Sequence, residues 1–162
     1  HLMAEPGIRI VLFGDGKERA RLQQEAVRLE LDNLIFAGVC PKKDMPAVLA
    51  ASDACLAILQ NIPSFRTTYP NKVFDYMAAG KPIVATDIKA HRSVLDHDCA
   101  VLVEVAGHSL ADGIHRVLED AGLAETLSER ALLRSGRGAG GEPFDRLVAS
   151  VYGRVCDGAR TR

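Results

Sequence analysis

The sequence predicts an α/β fold built on a parallel, doubly wound sheet. Three observations point there. Short apolar runs at residues 8–13, 33–37, 53–59, 83–86 and 100–105 alternate with segments of helical periodicity. The first run, IRIVLF, is continuous rather than alternating, as a strand covered on both faces requires. Glycine and proline punctuate the joins at Gly14-Asp15-Gly16, Gly38, Pro41, Gly80 and Pro82. At 162 residues and 48% apolar composition, the chain is long enough for one domain with a real core.

In order, the first strand spans 8–13 and turns at Gly14-Asp15-Gly16. A helix over 17–31 follows, with Ala20, Leu22, Ala26, Val27 and Leu29 facing inward. The second strand covers 33–37, and Gly38-Val39-Cys40-Pro41 loops to a helix opened by Asp44, where Pro46 is tolerated in the first turn. A third strand, 53–59, leads through a loop at 60–69 to a short helix from Pro70. Pro70 suits the first helical position because its missing N–H has no helical partner there anyway. Gly80 supplies a left-handed stop, and strand 83–86 follows Pro82. The remainder reads as helix 90–95, strand 100–105, helices 108–120 and 124–134, and a glycine-rich stretch at 135–142. A last amphipathic helix begins at Pro143 or Phe144 and runs to about residue 156, with Leu147, Val148, Val151 and Val155 inward. In such sheets ligands sit beyond the carboxyl ends of the strands, so the loops after Phe13, Ala37, Leu59 and Thr86 are expected on one rim.

Charge and composition exclude several classes. Lys plus Arg number 20 against 21 Asp plus Glu, which gives no footprint for nucleic acid. No apolar run is long enough to span a bilayer. Cys40, Cys55, Cys99 and Cys156 show no CxxC spacing and read as reduced thiols. His1-Leu2-Met3 reads as a cloning remnant; residues 4–157 form one domain and 158–162 a frayed tail.

The stretch TTYPNKVFDYMAAGKPIVATD carries the chemistry. A helix starting near Pro70 gathers unpaired N–H groups and partial positive charge at Asn71 and Lys72. An anion fits there. Asp75, one turn on, accepts hydrogen bonds from hydroxyls. Phosphate at one end and a polyol at the other suggest a sugar nucleotide.

PNKVFDYMAAGKPIVATD, with RIVLFGDGKERARL and NLIFAGVCPKKDMPAVLAASDACLAIL upstream, resembles the group-1 (family 4) retaining glycosyltransferases of the GT-B fold. The likeness covers about two thirds of the chain, to Val105. It implies a Rossmann-like, C-terminal GT-B domain that binds a nucleotide-diphosphate-sugar, lacking its first strand–helix unit. The full-length enzyme would be a hexosyltransferase acting in glycan or lipopolysaccharide assembly, with no cofactor and no metal. Its partners would be a UDP- or GDP-sugar and a glycan or lipid-linked acceptor held by an N-terminal domain. The resemblance implies a cytoplasmic location, and leaves open peripheral association with the inner face of the membrane. Alone, this domain is expected not to turn over.

By the same resemblance, Gly14 and Gly16 line the donor cleft and Val39 and Cys40 hold the base. Pro70, Asn71 and Lys72 meet the diphosphate and Asp75 the ribose. Relatives carry Glu-x7-Glu; Asp75 stands at the second Glu and Thr67 at the first, the sugar end. No catalytic residue is assigned. A sugar-nucleotide epimerase of the same fold and a non-catalytic binding module stay as alternatives. Bland readings stay as well: Gly14-Asp15-Gly16 as a plain tight turn, residues 38–41 as a simple loop, and Lys72 and Asp75 as solvated helix charges. GDGKER is not a dinucleotide fingerprint, since Arg19 stands where the third glycine belongs. Asp96-His97-Asp98 spells DxD in a turn and is not read as a metal site. No histidine has an evident orienting partner, and Lys89-Ala90 replaces a Gly-Gly pair common in the family, which would narrow the rim.

Overall fold

The computed structural model describes residues 5, 7–63 and 70–136. Thr67, the glycine-rich stretch beyond Gly136, the helix expected from residue 143 or 144, Cys156 and the tail lie outside them. The chain divides into two compact units, His1–Val48 and Leu49–Arg162.

In the first unit, β1 (Ile10–Phe13) and β2 (Leu34–Gly38) pair in parallel, with Ile10 opposite Leu34 and Leu12 opposite Phe36. The register slips between Leu12 and Phe13, and the Gly14 N–H then donates to the Gly38 carbonyl at 2.7 Å. The Asn33 amide ties the approach to β1 by donating to the Ile8 carbonyl at 3.0 Å. Helix α1 (Arg19–Arg28) is shorter than the expected 17–31. It stops where Glu30 turns left-handed at φ 53°, with Leu31 N–H reaching the Ala26 carbonyl and Glu30 N–H the Val27 carbonyl. Those two bonds form a Schellman stop without its usual glycine.

Two expectations for this unit fail. Of the five residues expected inward on α1, only Ala26 is buried, and Val27 is 79% exposed. The strand expected to be covered on both faces leaves Val11 43% and Leu12 40% exposed. The reason is architectural: among the described residues of this unit, two strands and one helix do not supply a layer for each face of the ribbon.

Helix α2 (Met45–Ala50) follows Asp44, as expected. In the second unit β3 (Cys55–Ala57), β4 (Ile83–Thr86) and β5 (Val101–Val103) form a parallel sheet in that order. Cys55 lies opposite Ile83, and Val84 opposite Val101. The expected strand 83–86 is observed with those bounds; β3 and β5 are trimmed at both ends relative to 53–59 and 100–105. The unit adds α3 (Asn71–Ala78), α4 (Lys89–Arg92), α5 (Gly107–Glu119) and α6 (Ala121–Arg134).

Helices cover both faces of this sheet. Side chains of β4 alternate between them. Ile83 and Ala85 join Val73, Phe74 and Met77 of α3 and Ala131 of α6 in one core. Val84 meets α5 at Gly113, where an added Cβ would lie 2.6 Å from Val103, 3.1 Å from Val84 and 3.4 Å from Val101. Gly113 therefore sets the approach of α5 to the sheet. The expected left-handed stop at Gly80 is present at φ 61°, with Lys81 N–H on the Tyr76 carbonyl and Gly80 N–H on that of Met77. Asp120 caps α6 through the Leu123 N–H at 2.9 Å.

Candidate functional site

Helix α3 divides cleanly. Val73, Phe74 and Met77 are buried, whereas Asn71, Lys72 and Asp75 are exposed and share one face at helical spacing. Pro70 is buried and stands one place earlier than expected, as the N-cap; the helix begins at Asn71. A proline N-cap has no side-chain acceptor, so no cap bond satisfies the first turn. Val73 N–H turns back to the Pro70 carbonyl at 2.9 Å. Among the described residues the Asn71 and Lys72 N–H groups have no hydrogen-bond partner. Lys72 adds a cation at the positive end of the helix dipole, an arrangement that an anion relieves. Behind this face Tyr76 has its hydroxyl pKa pushed up to about 12, chiefly by burial, then by the neighbouring Cys55 and Asp75. Burial likewise raises the Cys55 thiol to about 11, so it is an inert core group.

In the first unit the Gly14–Gly38 bond brings the loops after β1 and β2 together. Gly14 is at φ 135°, and no heavy atom lies within 4 Å of a Cβ built at Gly14 or Gly16. Val39 is exposed and Cys40 half-buried at the head of the next loop. Sequence reasoning passed over Arg19 as a failed fingerprint glycine. Its guanidinium lies over Gly38, with Nη1 3.5 Å from where a Cβ would stand, and 3.9 Å from the Asp15 carboxylate.

In the second unit the ends of β3 and β4 are joined by a side chain. The Thr86 hydroxyl donates to the Leu59 carbonyl at 2.9 Å and accepts from the Leu59 N–H at 3.0 Å. His91, buried to 1% exposure, lies with Nδ1 2.7 Å from the Thr86 carbonyl. That carbonyl can only accept, so Nδ1 carries the proton. His91 thus has the orienting partner that the sequence did not reveal. The signal was present as Thr86 and His91 five apart across a strand-to-helix turn, but only the fold turns that spacing into contact.

The DxD turn is occupied by protein. Asp96 pairs with Arg134 and Asp98 with Arg130 at 3.2 Å, fastening the turn to α6. Among the described residues no group of three or more His, Cys, Asp or Glu is arranged to hold a metal ion. Cys40, Cys55 and Cys99 are free thiols. No helix among the described residues is long and apolar enough to cross a membrane.

The family model for glycosyl transferases group 1 matches residues 1–120. The chain belongs to the group 1 glycosyltransferases. The 2-deoxystreptamine glucosyltransferase of Streptomyces kanamyceticus is 29% identical over 130 residues, 78% of this chain and 31% of that protein. Among solved structures, Anabaena Alr3699/HepE in complex with UDP and glucose matches with a TM-score of 0.74 at 21% identity, over 98% of this chain and 42% of that one. The C-terminal domain of the group 1 protein LpcC from Francisella tularensis matches with a TM-score of 0.64 at 18% identity, over 85% of this chain and 72% of that domain. The fold is accordingly α/β with parallel sheets, as in GT-B glycosyltransferases. This chain spans less than half the length of the Streptomyces enzyme and of HepE.

Proposed function

We propose that this chain is the donor-binding part of a retaining hexosyltransferase of glycan or lipopolysaccharide assembly. The observation that carries the reading is the start of α3. There, two amides without a partner among the described residues, the Lys72 ammonium and the Asp75 carboxylate share one exposed face. The diphosphate of a nucleotide sugar sits on the Asn71 and Lys72 amides beside the buried ring of Pro70. Asp75 accepts from the ribose hydroxyls, and the family resemblance assigns the sugar end to Thr67, which is outside the described residues. By the family resemblance, Gly14, Gly16, Val39 and Cys40, which belong to the first unit, are the residues assigned to the base.

In the reaction, the bond from the anomeric carbon to the diphosphate breaks and an acceptor oxygen bonds to the same face of that carbon. The acceptor's proton leaves with the nucleoside diphosphate. Helix amides and Lys72 stabilise the charge that builds on the leaving group. The acceptor is a glycan or lipid-linked hydroxyl held by further chain, so these residues alone bind donor without turning over. HepE, crystallised with UDP and glucose, favours UDP as the first nucleotide to try.

The test is calorimetric titration of the full-length protein with UDP, GDP and ADP. One of them is expected to bind, and Asp75→Ala is expected to weaken it about tenfold, the worth of one charged hydrogen bond. Thermal unfolding should stay unchanged. Binding of none of the three sinks the reading in favour of a non-catalytic module, and a matching loss of fold stability makes Asp75 structural.

A further inference from the structure

Beyond the carboxyl ends of β3 and β4 lies an open cleft of about 510 Å³, lined by Asn61, Asp87, Ile88, Lys89 and Arg92. Its size falls within the roughly 300–1,000 Å³ of small-molecule sites. Its base is fixed by buried polar bonds. Thr86 holds both backbone groups of Leu59, and His91 holds the Thr86 carbonyl. The segments that carry Asn61 and Asp87 are therefore locked to each other and to α4. Arg92 grips Asp87 with two donors, Nη2 at 2.6 Å from Oδ2 and Nε on Oδ1. The Asp87 N–H is held by the Val103 carbonyl at 2.6 Å. Among the described residues, the side chains of Asn61 and Lys89 make no hydrogen bond or ion pair. The cleft thus combines an ion-paired wall with two polar groups that have no partner among the described residues.

The chemistry of the lining selects among ligands. Lys89 only donates, the Asp87 carboxylate only accepts, and the Asn61 amide does both. A free phosphate would face the Asp87 carboxylate as well as the cations. Among the described lining residues there is no ring for an aromatic base to stack on. Vicinal hydroxyls, each a donor and an acceptor, match the alternation. We infer that this cleft is a monosaccharide subsite, in which Asn61 and Lys89 bind pyranose hydroxyls against the fixed Asp87–Arg92 wall. The inference rests on the sugar-transfer reading. It adds a site that the sequence comparison had marked only as a narrowed rim at Lys89-Ala90. The ring can belong to the donor or to the acceptor.

The experiment uses the full-length protein and its Asn61→Ala and Lys89→Ala variants, both at exposed positions. Titrations with UDP, GDP and ADP are compared with titrations of the glucose conjugate of whichever binds. Saturation-transfer NMR follows free glucose with that nucleoside diphosphate present. Each variant is expected to keep the affinity for the nucleoside diphosphate and the unfolding temperature. If the cleft takes the donor ring, each variant weakens the glucose conjugate about five- to tenfold. If it takes the acceptor ring, the conjugate is unaffected and the free-glucose signal falls by a similar factor. Either result supports the subsite. Unchanged conjugate affinity together with an unchanged or absent glucose signal overturns it while leaving the donor reading intact. No binding of any nucleoside diphosphate overturns both.

Discussion

Two four-residue parallel strands, IVLF at β1 and IVAT at β4, have nearly the same apolar character and opposite fates. Ile83, Val84 and Ala85 of β4 are 0% exposed, whereas Val11 and Leu12 of β1 are 43% and 40% exposed. Both strands precede a helix, and both units contain a helix ended by the same pair of Schellman bonds. The difference lies in what packs on them. β4 is flanked by β3 and β5 and receives α3 on one face and α5 on the other, while among the described residues β1 pairs with β2 alone. Their ion pairs differ in reach, although the second unit also has the local pairs Arg92–Asp87 and His115–Glu119. Those of α1, Arg21–Glu18 and Arg28–Glu25, are local and exposed, whereas Arg130–Asp98 and Arg134–Asp96 join a helix to a distant turn. Apolar content thus marks a strand, and neighbouring layers decide whether it becomes core.

The largest effect that would break this comparison is a matched truncation. Ile83→Ala is expected to cost about 3 kcal/mol, since it removes buried methylenes and leaves a cavity. Leu12→Ala, already partly in water, is expected to cost less than about 1 kcal/mol. Urea unfolding of this chain measures both, and equal losses would mean that β1 is as much a part of the core as β4.

The two helix stops sharpen the comparison at smaller magnitude. Gly80→Ala forces a Cβ into a left-handed backbone at φ 61° and is expected to destabilise by about 1 kcal/mol. Glu30 already bears that strain at φ 53°, so Glu30→Gly is expected to be neutral or stabilising by up to about 1 kcal/mol. Opposite signs in the two unfolding midpoints would establish that the same device is built strained in one unit and relaxed in the other.

The smallest effect concerns the tertiary ion pair. The hydrogen bond from Arg134 holds the Asp96 carboxyl below its usual range. A depressed carboxylate stabilises the fold above its unfolded pKa of about 3.9, and the contribution is lost as pH falls through the lower folded value. The pair is half-exposed, so the effect is modest. Arg134→Ala is expected to lower stability slightly at neutral pH, with the gap to the parent narrowing below about pH 4. A gap that is the same at pH 7 and pH 3 would show that Arg134 acts through packing alone.

The sequence by itself determined the order of strands and helices through α6, the bounds of β4, the stop at Gly80 and the amphipathic division of α3. Each of these follows from neighbours in the chain: apolar periodicity, a glycine free to turn left-handed, a proline unable to extend a helix. Asn71, Lys72 and Asp75 were legible as candidates for the same reason, because their spacing on one short helix is a local property. The tertiary structure alone decided that the DxD carboxylates are tied to α6, that His91 is oriented by Thr86, and that Asn61 and Lys89 meet across one cleft. It also decided that most of the apolar face of α1 is left uncovered. Those outcomes depend on which segments distant in sequence become neighbours in space, and on how many layers there are to bury a surface.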